Sequence, residues 1–458
     1  MRLMNGSGGR RAAVALLIAG AFALAGCSTS SSQSSQASQT GPAAGFSPVP
    51  ANQKVSLTMV SYLPLISPEA KSTLAGLISG FEAAHPNISV TVQTTAATTG
   101  AATTAVVQRD EAAGSTPDVV QSGLDMLRYL ATGGLGAQDL GQAVGASSIA
   151  KEWGGPNPYP AAIQHLGQVN GKQYAIPWVL STPILFYNAA LFTRAGLNPS
   201  KPPTTWDQVQ ADALAIKKAT GADGLSNCAA GASSSGVDWC TQAVILSNGG
   251  SVASGNGETL HWTDPATVAA VAELGKLGKS GAMVNLTTVQ TVQEFLQGRL
   301  AMVVTSSAAQ SALLDKGKMK LMDTTLPSFG SRPSVPVNSG SALAILSKTS
   351  VNQRASWEFI QYLTSDAAYK TITTQIGYAP LRTSLANDLG TGSAATVLTK
   401  PNIAQLNRLV AWQDYPGPNF AQVQKLLEGA VAAVAFQNQP AASALSAAQQ
   451  QATSLISP

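Results

Sequence analysis

Short apolar runs alternate with amphipathic segments along most of this chain. Residues 55–60 and 88–92 are apolar runs of strand length, and residues 69–84 between them have a helical period. A third strand is predicted around residues 118–120, after another helical segment. The first helix carries apolar side chains at i, i+3, i+4 and i+7, and therefore on one face, at Leu74, Leu77, Ile78 and Phe81.

Strands that alternate with helices predict βαβ units, in which a largely parallel sheet is covered by helices. In such sheets ligands bind at the carboxyl ends of the strands, so residues 61–65 and 121–125 are the first candidates for a binding site. Residues 351–375 and 402–456 are predicted to be mostly helical, and we find no third strand-rich unit. A body of about 400 residues is long enough for two or three domains.

The N-terminal 27 residues have the pattern of a secretory signal, in which three arginines precede an apolar stretch at residues 12–25. About 14 residues make roughly 21 Å of helix, shorter than a ~30 Å hydrocarbon core, so we predict cleavage and not a membrane span. Leu-Ala-Gly-Cys at 24–27 resembles a bacterial lipobox and predicts lipidation of Cys27; the alternative is an ordinary signal with a chance cysteine. The Ser/Gln/Pro-rich residues 28–52 are predicted to form a disordered tether.

Charge argues against a nucleic-acid partner. The chain has 27 basic and 23 acidic residues, and three of the basic ones lie in the leader, so 24 basic residues remain against 23 acidic ones. Phosphate neutralisation requires a clustered basic surface, which this near-neutral balance does not supply. Charged residues make up 11% of the chain and apolar residues 45%, as expected for a packed soluble body.

Cys228 and Cys240 are the two cysteines that remain after Cys27, and an exported chain favours a disulfide between them. The alternative is a pair of reduced thiols in the core, although both lie in a Gly/Ser-rich segment. We expect no metal site and no cofactor, because none of the three histidines has ligand spacing from this pair.

Several motifs in a fixed order carry a resemblance to a known family. The strongest are Tyr-Ala-Ile-Pro-Trp at 174–178, Ser-Thr-Pro-Ile-Leu-Phe-Tyr-Asn at 181–188, Ala-Gly-Leu at 195–197 and Pro-Thr-Thr-Trp at 203–206. Further matches occur at 295–302, 305–307, 339–341 and 377–380. Together they resemble the extracellular solute-binding proteins of ABC importers, in the branch that binds oligosaccharides and glycerophosphate compounds. The likeness covers nearly the whole mature chain.

This resemblance implies an α/β fold of the type II-like periplasmic-binding-protein kind. It has two lobes, each a mainly parallel sheet flanked by helices, which close around ligand through a multi-crossing hinge. It places lobe 1 at 53–180 and 306–376, and lobe 2 at 181–305 and 377–458. Chain crossings are expected near 180–182, near 305–307 and just before Gly377.

The resemblance also implies a set of ligand-binding residues. Aromatic faces suit the C–H surfaces of a polyol, and short polar side chains suit its hydroxyls. Asp125 is expected to accept ligand hydroxyls; it also fits an N-terminal helix acid. Trp206 and Tyr378 are expected on ligand; their alternatives are packing under the preceding prolines and shielding a turn. The full predicted set is Tyr62, Gln121, Asp125, Ser181, Thr182, Trp206, Ser306, Gly340, Ser341 and Tyr378, with Trp178, Trp239, Trp262 and Trp412 as weaker candidates.

The sequence departs from the glycerophosphate-binding members of the family. In those proteins an arginine near the start of the penultimate long helix holds the phosphate, whereas residues 412–419 here contain no arginine. Arg382 is a possible substitute, although its position matches a surface turn better. The sequence therefore predicts a sugar or polyol ligand, with glycerol 3-phosphate or a glycerophosphodiester as the alternative.

The resemblance predicts a lipid-anchored monomer on the outer face of the cell membrane, which delivers its ligand to an ABC permease and is not an enzyme. A secreted hydrolase is the rival class, but no Gly-x-Ser-x-Gly, His-Glu-x-x-His or phosphate-cradling glycine loop is present. A lipoprotein that serves only as an adhesin or scaffold is the third class, and it would have no enclosed cleft.

Overall fold

A computed structural model describes residues 46–233, 238–255, 257–314, 320–391, 400–417 and 419–456. The predicted signal, Cys27 and most of the tether lie outside these residues. The end of the predicted tether is not disordered: Val49 is buried in an apolar core, and its backbone N–H donates to Glu358 Oε1 at 2.6 Å. The apolar side chain of Val49 explains this difference, since it gives the segment a surface to bury.

The first sheet confirms the predicted strands and their alternation with helices. Its order is β2-β1-β3-β11-β6, and β11 alone runs against the other four strands. We call the body built on this sheet lobe 1. Its strands are β1 (Val55–Ser61), β2 (Ile88–Thr94), β3 (Val119–Gly123), β6 (Ala175–Ser181) and β11 (Ser339–Ile345), and a small hairpin is formed by β4 (Gln168–Val169) and β5 (Lys172–Gln173).

The second sheet has the order β10-β7-β9-β8, and here β7 runs against the other three strands. We call the body built on it lobe 2. Most strands of each sheet thus run in the same direction, as the fold class predicted. One strand in each sheet is reversed. The strands are β7 (Pro183–Asn188), β8 (Asp223–Asn227), β9 (Leu300–Ser306) and β10 (Leu321–Thr325).

Helices cover both sheets, and local sequence sets their ends. Ser67 caps α1 by accepting from Ala70 N–H, and Thr205 with Gln208 forms the predicted capping box of α7. None of the helices in the described ranges is long and apolar enough to cross a bilayer. The helices are α1 (Pro68–Ala84), α2 (Gly100–Ala112), α3 (Leu127–Thr132), α4 (Ala146–Trp153), α5 (Ala161–Gln164), α6 (Ala189–Arg194), α7 (Trp206–Thr220), α8 (Trp239–Ser247), α9 (Pro265–Lys279), α10 (Thr288–Leu296), α11 (Gln310–Leu313), α12 (Ser350–Leu363), α13 (Asp366–Ile376), α14 (Thr383–Thr391), α15 (Lys400–Gln405), α16 (Phe420–Phe436) and α17 (Ala441–Ile456).

Within the described residues, the chain passes between the lobes at three places, and two of them differ from the predicted ones. The first lies between Ser181 and Thr182, where β6 of one sheet leads directly into β7 of the other. The second lies at 338–339 and the third at 409–410, not near 305–307 or before Gly377. The last two run side by side, because Asn338 N–H donates to Val410 O at 3.1 Å and Val410 N–H donates to Pro336 O at 3.0 Å.

Two segments therefore belong to the lobe opposite to the predicted one. Strand β10 pairs with β7 in lobe 2, although residues 306–376 were predicted in lobe 1. Residues 377–391 and 400–409 contribute Tyr378, Leu385 and Leu406 to the core of lobe 1, although they were predicted in lobe 2. The reason is packing: these three side chains share a core with Trp357 and Ile376 of lobe 1, whereas Leu321 and Met322 of β10 pack against the apolar clusters of lobe 2.

Candidate functional site

A cavity of about 750 Å³ lies between the two lobes. The loops that follow β1 and β3 form one wall, at the carboxyl ends of the strands where a ligand was predicted. The start of α10 and the residues around β8 and Trp412 form the other wall. Lobe 1 contributes Tyr62, Thr98, Thr99, Asp125, Ser181, Ser339, Gly340 and Tyr378, and lobe 2 contributes Trp239, Thr288, Gln293, Thr305, Ser306, Asn338 and Trp412, among others.

Six of the ten predicted site residues line this cavity. Ser306 Oγ donates to Ser181 Oγ at 2.7 Å, which brings β9 and β6 together at the floor between the lobes. Gly340 is needed for the backbone: its φ is +126°, and a Cβ there would collide with the carbonyl of Val179. The six are Tyr62, Asp125, Ser181, Ser306, Gly340 and Tyr378.

Gln121 and Ser341 do not line the cavity but lie directly behind its wall. Gln121 is fully buried, accepts from Ser61 Oγ at 2.6 Å and donates from Nε2 to Ser341 Oγ at 2.9 Å. Burial raises the pKa of Tyr62 to about 12, and interactions with both side chains oppose this rise. Gln121 and Ser341 therefore lie beside the phenol of Tyr62.

Thr182 is also absent from the cavity lining, although it follows Ser181 directly. Its hydroxyl donates to Asn402 Oδ1 at 2.8 Å and accepts from Gln405 Nε2 at 2.7 Å. Gln405 donates as well to Pro183 O at 3.1 Å. Thr182 therefore links the first crossing to helix α15. Its side chain points away from the cavity that Ser181 lines, because successive side chains of an extended segment point to opposite sides.

Trp206 lies in the core of lobe 2 and not in the cavity. Its side chain is 2% exposed and tilts against Phe329 with ring centroids 6.4 Å apart. The capping box was predicted correctly, but the side chain of the first residue of α7 lies in the core. The alternative reading of Trp206, packing, is therefore the one that its environment favours.

Trp239 and Trp412 are the tryptophans of the cavity, and the sequence ranked both below Trp206. Trp239 is the first residue of α8 and precedes Cys240, which is disulfide-bonded to Cys228 at the end of β8. The predicted disulfide is thus confirmed, and it joins the strand and the helix beside the cavity. Trp178 and Trp262, the other weak candidates, are fully buried in the cores.

A buried carboxylate orients Trp412. Asp238 Oδ1 accepts from Trp412 Nε1 at 2.7 Å, and Asp238 Oδ2 accepts from the Tyr415 hydroxyl at 2.8 Å. Gln242 Nε2 donates to both oxygens at 3.1 Å. Burial raises the pKa of Asp238 to about 6, while these three donors oppose the rise.

Asp125 is the charged side chain of the cavity. It stands at the start of the 3₁₀ turn after β3, is half-buried, and burial raises its pKa to about 6. Repulsion from Asp414 and Asp238 adds to this rise. Among the described residues that line the cavity, none is Lys, Arg or His.

Arg382 does not take the place of the missing phosphate-binding arginine, and it does not lie on the surface. Its guanidinium is buried in lobe 1, where it contacts Glu152 Oε1 at 2.6 Å and stacks over the ring of Tyr159 at 4.5 Å. Within the described residues, no group of three side chains has the arrangement of a metal site.

Comparisons with solved structures find the same fold in other proteins. The cyclic α-maltosyl-1,6-maltose binding protein of Arthrobacter globiformis superimposes with a TM-score of 0.73 at 17% identity, covering 88% of this chain and 99% of that one. UgpB of Mycobacterium tuberculosis in complex with glycerophosphocholine superimposes with a TM-score of 0.72 at 21% identity, covering 87% and 98%. At these identities the likeness shows a shared fold.

Sequence comparison finds curated relatives over part of the chain. The sn-glycerol-3-phosphate-binding periplasmic protein UgpB of Yersinia pestis bv. Antiqua is 24% identical over 221 residues, which is 47% of this chain and 50% of the relative. The Brucella abortus protein of the same name is 36% identical over 80 residues, or 18% and 17%. The chain therefore spans half or less of the length of these relatives. The family model for bacterial extracellular solute-binding proteins matches residues 76–405, well over half of the chain. The resemblance read from the sequence is thus confirmed, and the chain belongs to the bacterial extracellular solute-binding protein family.

Proposed function

We propose that this protein captures a sugar or polyol in the cavity between its lobes and delivers it to the membrane permease of an ATP-driven importer. The observation that carries the proposal is the lining of the cavity, in which aromatic rings and short polar side chains come from both lobes. A ligand that touches both lobes stabilises their closed arrangement, which is the form a permease can recognise.

The aromatic residues supply flat faces for the C–H surfaces of a sugar ring. Tyr62 and Tyr378 belong to lobe 1, while Trp239 and Trp412 belong to lobe 2. Hydroxyl and amide groups between them suit a ligand that is rich in hydroxyls. The polar lining includes Thr98, Thr99, Ser181, Thr288, Gln293, Thr305, Ser306, Asn338 and Ser339.

A glycerophospho compound is the second candidate, and the names of the curated relatives favour it. The N-terminus of α2 lies beside the cavity at Thr99 and Gly100 and offers backbone N–H groups to an anion. However, a buried phosphate requires charge-assisted donors, and Asp125 would repel it. The charge of the lining therefore supports a sugar or polyol over a phosphate ester.

We expect binding without turnover, because the cavity presents carboxylate, hydroxyl and aromatic groups without a paired nucleophile and base among its described lining residues.

We also expect a lipid anchor at Cys27, motivated by the Leu-Ala-Gly-Cys match. Detergent partitioning of the Cys27→Ser form tests the anchor, since release from the membrane fraction is expected and retention would contradict it.

A thermal-shift screen of sugars, sugar alcohols and glycerophosphodiesters tests the ligand class. A ligand at about 100 times its dissociation constant stabilises the folded state by roughly 2.7 kcal/mol, which is an easily measured shift. Small-angle scattering with a saturating ligand then tests closure, for which we expect a smaller radius of gyration. Micromolar binding of a glycerophosphodiester without binding of any sugar or polyol would overturn the proposed ligand class.

A further inference from the structure

The cavity has a one-sided charge. Among the described residues, twenty-six line it, and their only ionisable groups besides two tyrosine hydroxyls and a disulfide-bonded cysteine belong to Asp125. The tyrosines are Tyr62 and Tyr378, and burial raises the pKa of each, so both stay neutral near pH 7. The lining as described therefore carries a negative charge whenever Asp125 is ionised.

No cationic side chain in the described residues compensates Asp125. Its Oδ1 lies against Gly100 and Gly123, and a Cβ on Gly123 would collide with that oxygen. The carboxylate accepts its hydrogen bond from its own backbone N–H, and the N-terminus of α2 adds a partial positive charge. A glycine on this side leaves the carboxylate room to face the cavity.

Two further carboxylates reinforce the negative potential from lobe 2. Asp414 and Asp238 both repel the ionised form of Asp125. Asp414 is paired with Arg128 at 2.6 Å, whereas the described residues that donate to Asp238 are all neutral, so they satisfy its hydrogen bonds and leave its charge in place. Asp125 is thus repelled by two other carboxylates, of which one has a guanidinium partner.

The aromatic lining is suited to a cationic ligand. The indole N–H of Trp412 donates to Asp238, and a donor bound to a carboxylate has a more electron-rich ring. A cation above the face of such a ring is attracted both by the ring quadrupole and by the carboxylate behind it. Tyr62, Trp239 and Tyr378 line the same space and add further faces.

We propose that the natural ligand carries a positive charge, as an ammonium group on a sugar or polyol frame, and that Asp125 and the face of Trp412 hold this group between the lobes. The inference rests on the proposed function, because it assigns a charge to the ligand of the same cavity. A neutral sugar would leave the charge of Asp125 uncompensated, whereas an ammonium group pairs with Asp125 as it enters.

Three trisaccharides that differ only in the group at C2 provide the test. They are the β-1,4-linked trimers of glucose, glucosamine and N-acetylglucosamine, which carry a hydroxyl, an amine that is partly protonated near neutral pH, and a neutral amide. A second pair, N-methylglucamine and glucitol, covers open-chain polyols. Calorimetry near neutral pH is expected to show binding of an ammonium form at least roughly tenfold tighter than its neutral counterparts.

The Asp125→Asn variant separates charge from shape. We expect it to weaken the ammonium form by roughly tenfold and to leave the weaker binding of the neutral forms nearly unchanged. Asp207→Asn is the matched control, because this substitution removes the same charge at an exposed position at the start of α7, outside the cavity lining. The control is expected to bind like the unmodified protein.

The outcomes distinguish the two proposals. Saturable binding of a neutral sugar or polyol that equals or exceeds that of its ammonium counterpart keeps the proposed function and overturns the positive charge. Ammonium binding that Asp125→Asn leaves unaltered overturns the role of Asp125. Absence of binding by both ammonium probes also overturns the inference, and if the neutral probes and the wider sugar screen fail as well, the proposed function fails with it.

Discussion

Arg128 Nε donates to Asp414 Oδ2 at 2.6 Å, and this ion pair joins the two lobes. Arg128 lies on α3 of lobe 1, while Asp414 follows the third chain crossing and lies beside Trp412. Both side chains remain partly open to solvent, at 43% and 21% exposure, so the pair is screened by salt. It therefore favours the approach of the lobes by a small amount.

Removal of this pair is expected to shift the ligand-free protein toward open forms. An exposed pair contributes about 0 to 1 kcal/mol, so Arg128→Gln should raise the ratio of open to closed forms by up to roughly fivefold. Distances between spin labels on exposed positions of α1 and α9 measure this ratio. The effect should shrink at high salt, and an identical distance distribution in both proteins at low salt would contradict it.

The buried pair of Glu152 and Arg382 is expected to stabilise lobe 1 far more strongly. The two side chains are only 5% and 12% exposed, and the guanidinium also donates to the carbonyls of Thr364 and Asn157. Glu152→Gln leaves this buried cation with only the more exposed carboxylate of Asp366 at 3.5 Å, which costs up to about 3 to 5 kcal/mol. Urea denaturation measures the loss, and Glu294→Gln, in an exposed pair with Arg299, is the matched control with little expected effect.

The sequence predicted β1, α1, β2 and β3 of lobe 1 because each depends on local signals. The apolar face of α1, its serine cap and the strands on either side lie within 40 residues of one another. The positions of the crossings could not be found in this way. They depend on which core buries residues 320–338, 377–391 and 400–409, and that is decided by contacts between residues far apart in the chain.

Contacts between residues far apart in the chain also decide which tryptophans line the cavity. Trp206 stands in a recognisable motif, and the motif correctly predicts a helix start, but a helix start does not say which way the first side chain points. Trp412 lacks a local signal, because it is oriented by Asp238, 174 residues away in the chain. The disulfide next to Trp239 was the one available signal that this region has a fixed geometry.

Asp323 is expected to make the stability of lobe 2 fall as pH rises. It lies on β10, is 7% exposed, and neither carboxylate oxygen has a hydrogen-bond partner within the described residues. Burial raises its pKa from 3.8 to about 7, so the folded state binds this proton more tightly than the unfolded chain does. Stability is therefore complete below the unfolded pKa and is lost between about pH 4 and pH 7.

Asp323→Asn removes this titration and is expected to stabilise the protein above about pH 7 by roughly 1 to 3 kcal/mol, because an amide carries no buried charge. The difference between variant and unmodified protein should shrink as the pH falls below 7 and vanish below about pH 4. Denaturation curves at several pH values provide the measurement. Asp388→Asn, at an exposed position of α14, is the control, and a gain of equal size in that variant would argue against the buried charge.

The disulfide is expected to stabilise both the fold and the cavity. It links Cys228 and Cys240 with Cα atoms 5.8 Å apart and a sequence separation of 12. Closing a loop of this size contributes about 3 kcal/mol by the chain-entropy model, so replacement of both cysteines by serine should lower the free energy of unfolding by that amount. Ligand affinity should fall too, because Trp239 precedes Cys240. Equal denaturation midpoints with and without reductant would contradict the first expectation.

Trp412 and Trp206 are expected to separate binding from folding. Trp412→Ala removes an aromatic face of the cavity, so the ligand identified in the sugar and polyol screen should bind about 1 to 3 kcal/mol more weakly. Trp206→Phe should leave affinity unchanged and lower stability, because the smaller ring leaves a gap beside Phe329. This substitution breaks no hydrogen bond, since the indole nitrogen of Trp206 has no partner within the described residues. Calorimetry and urea denaturation on both variants give the comparison. A loss of affinity in Trp206→Phe, with none in Trp412→Ala, would instead indicate that the ligand binds at the start of α7, as the sequence motif predicted.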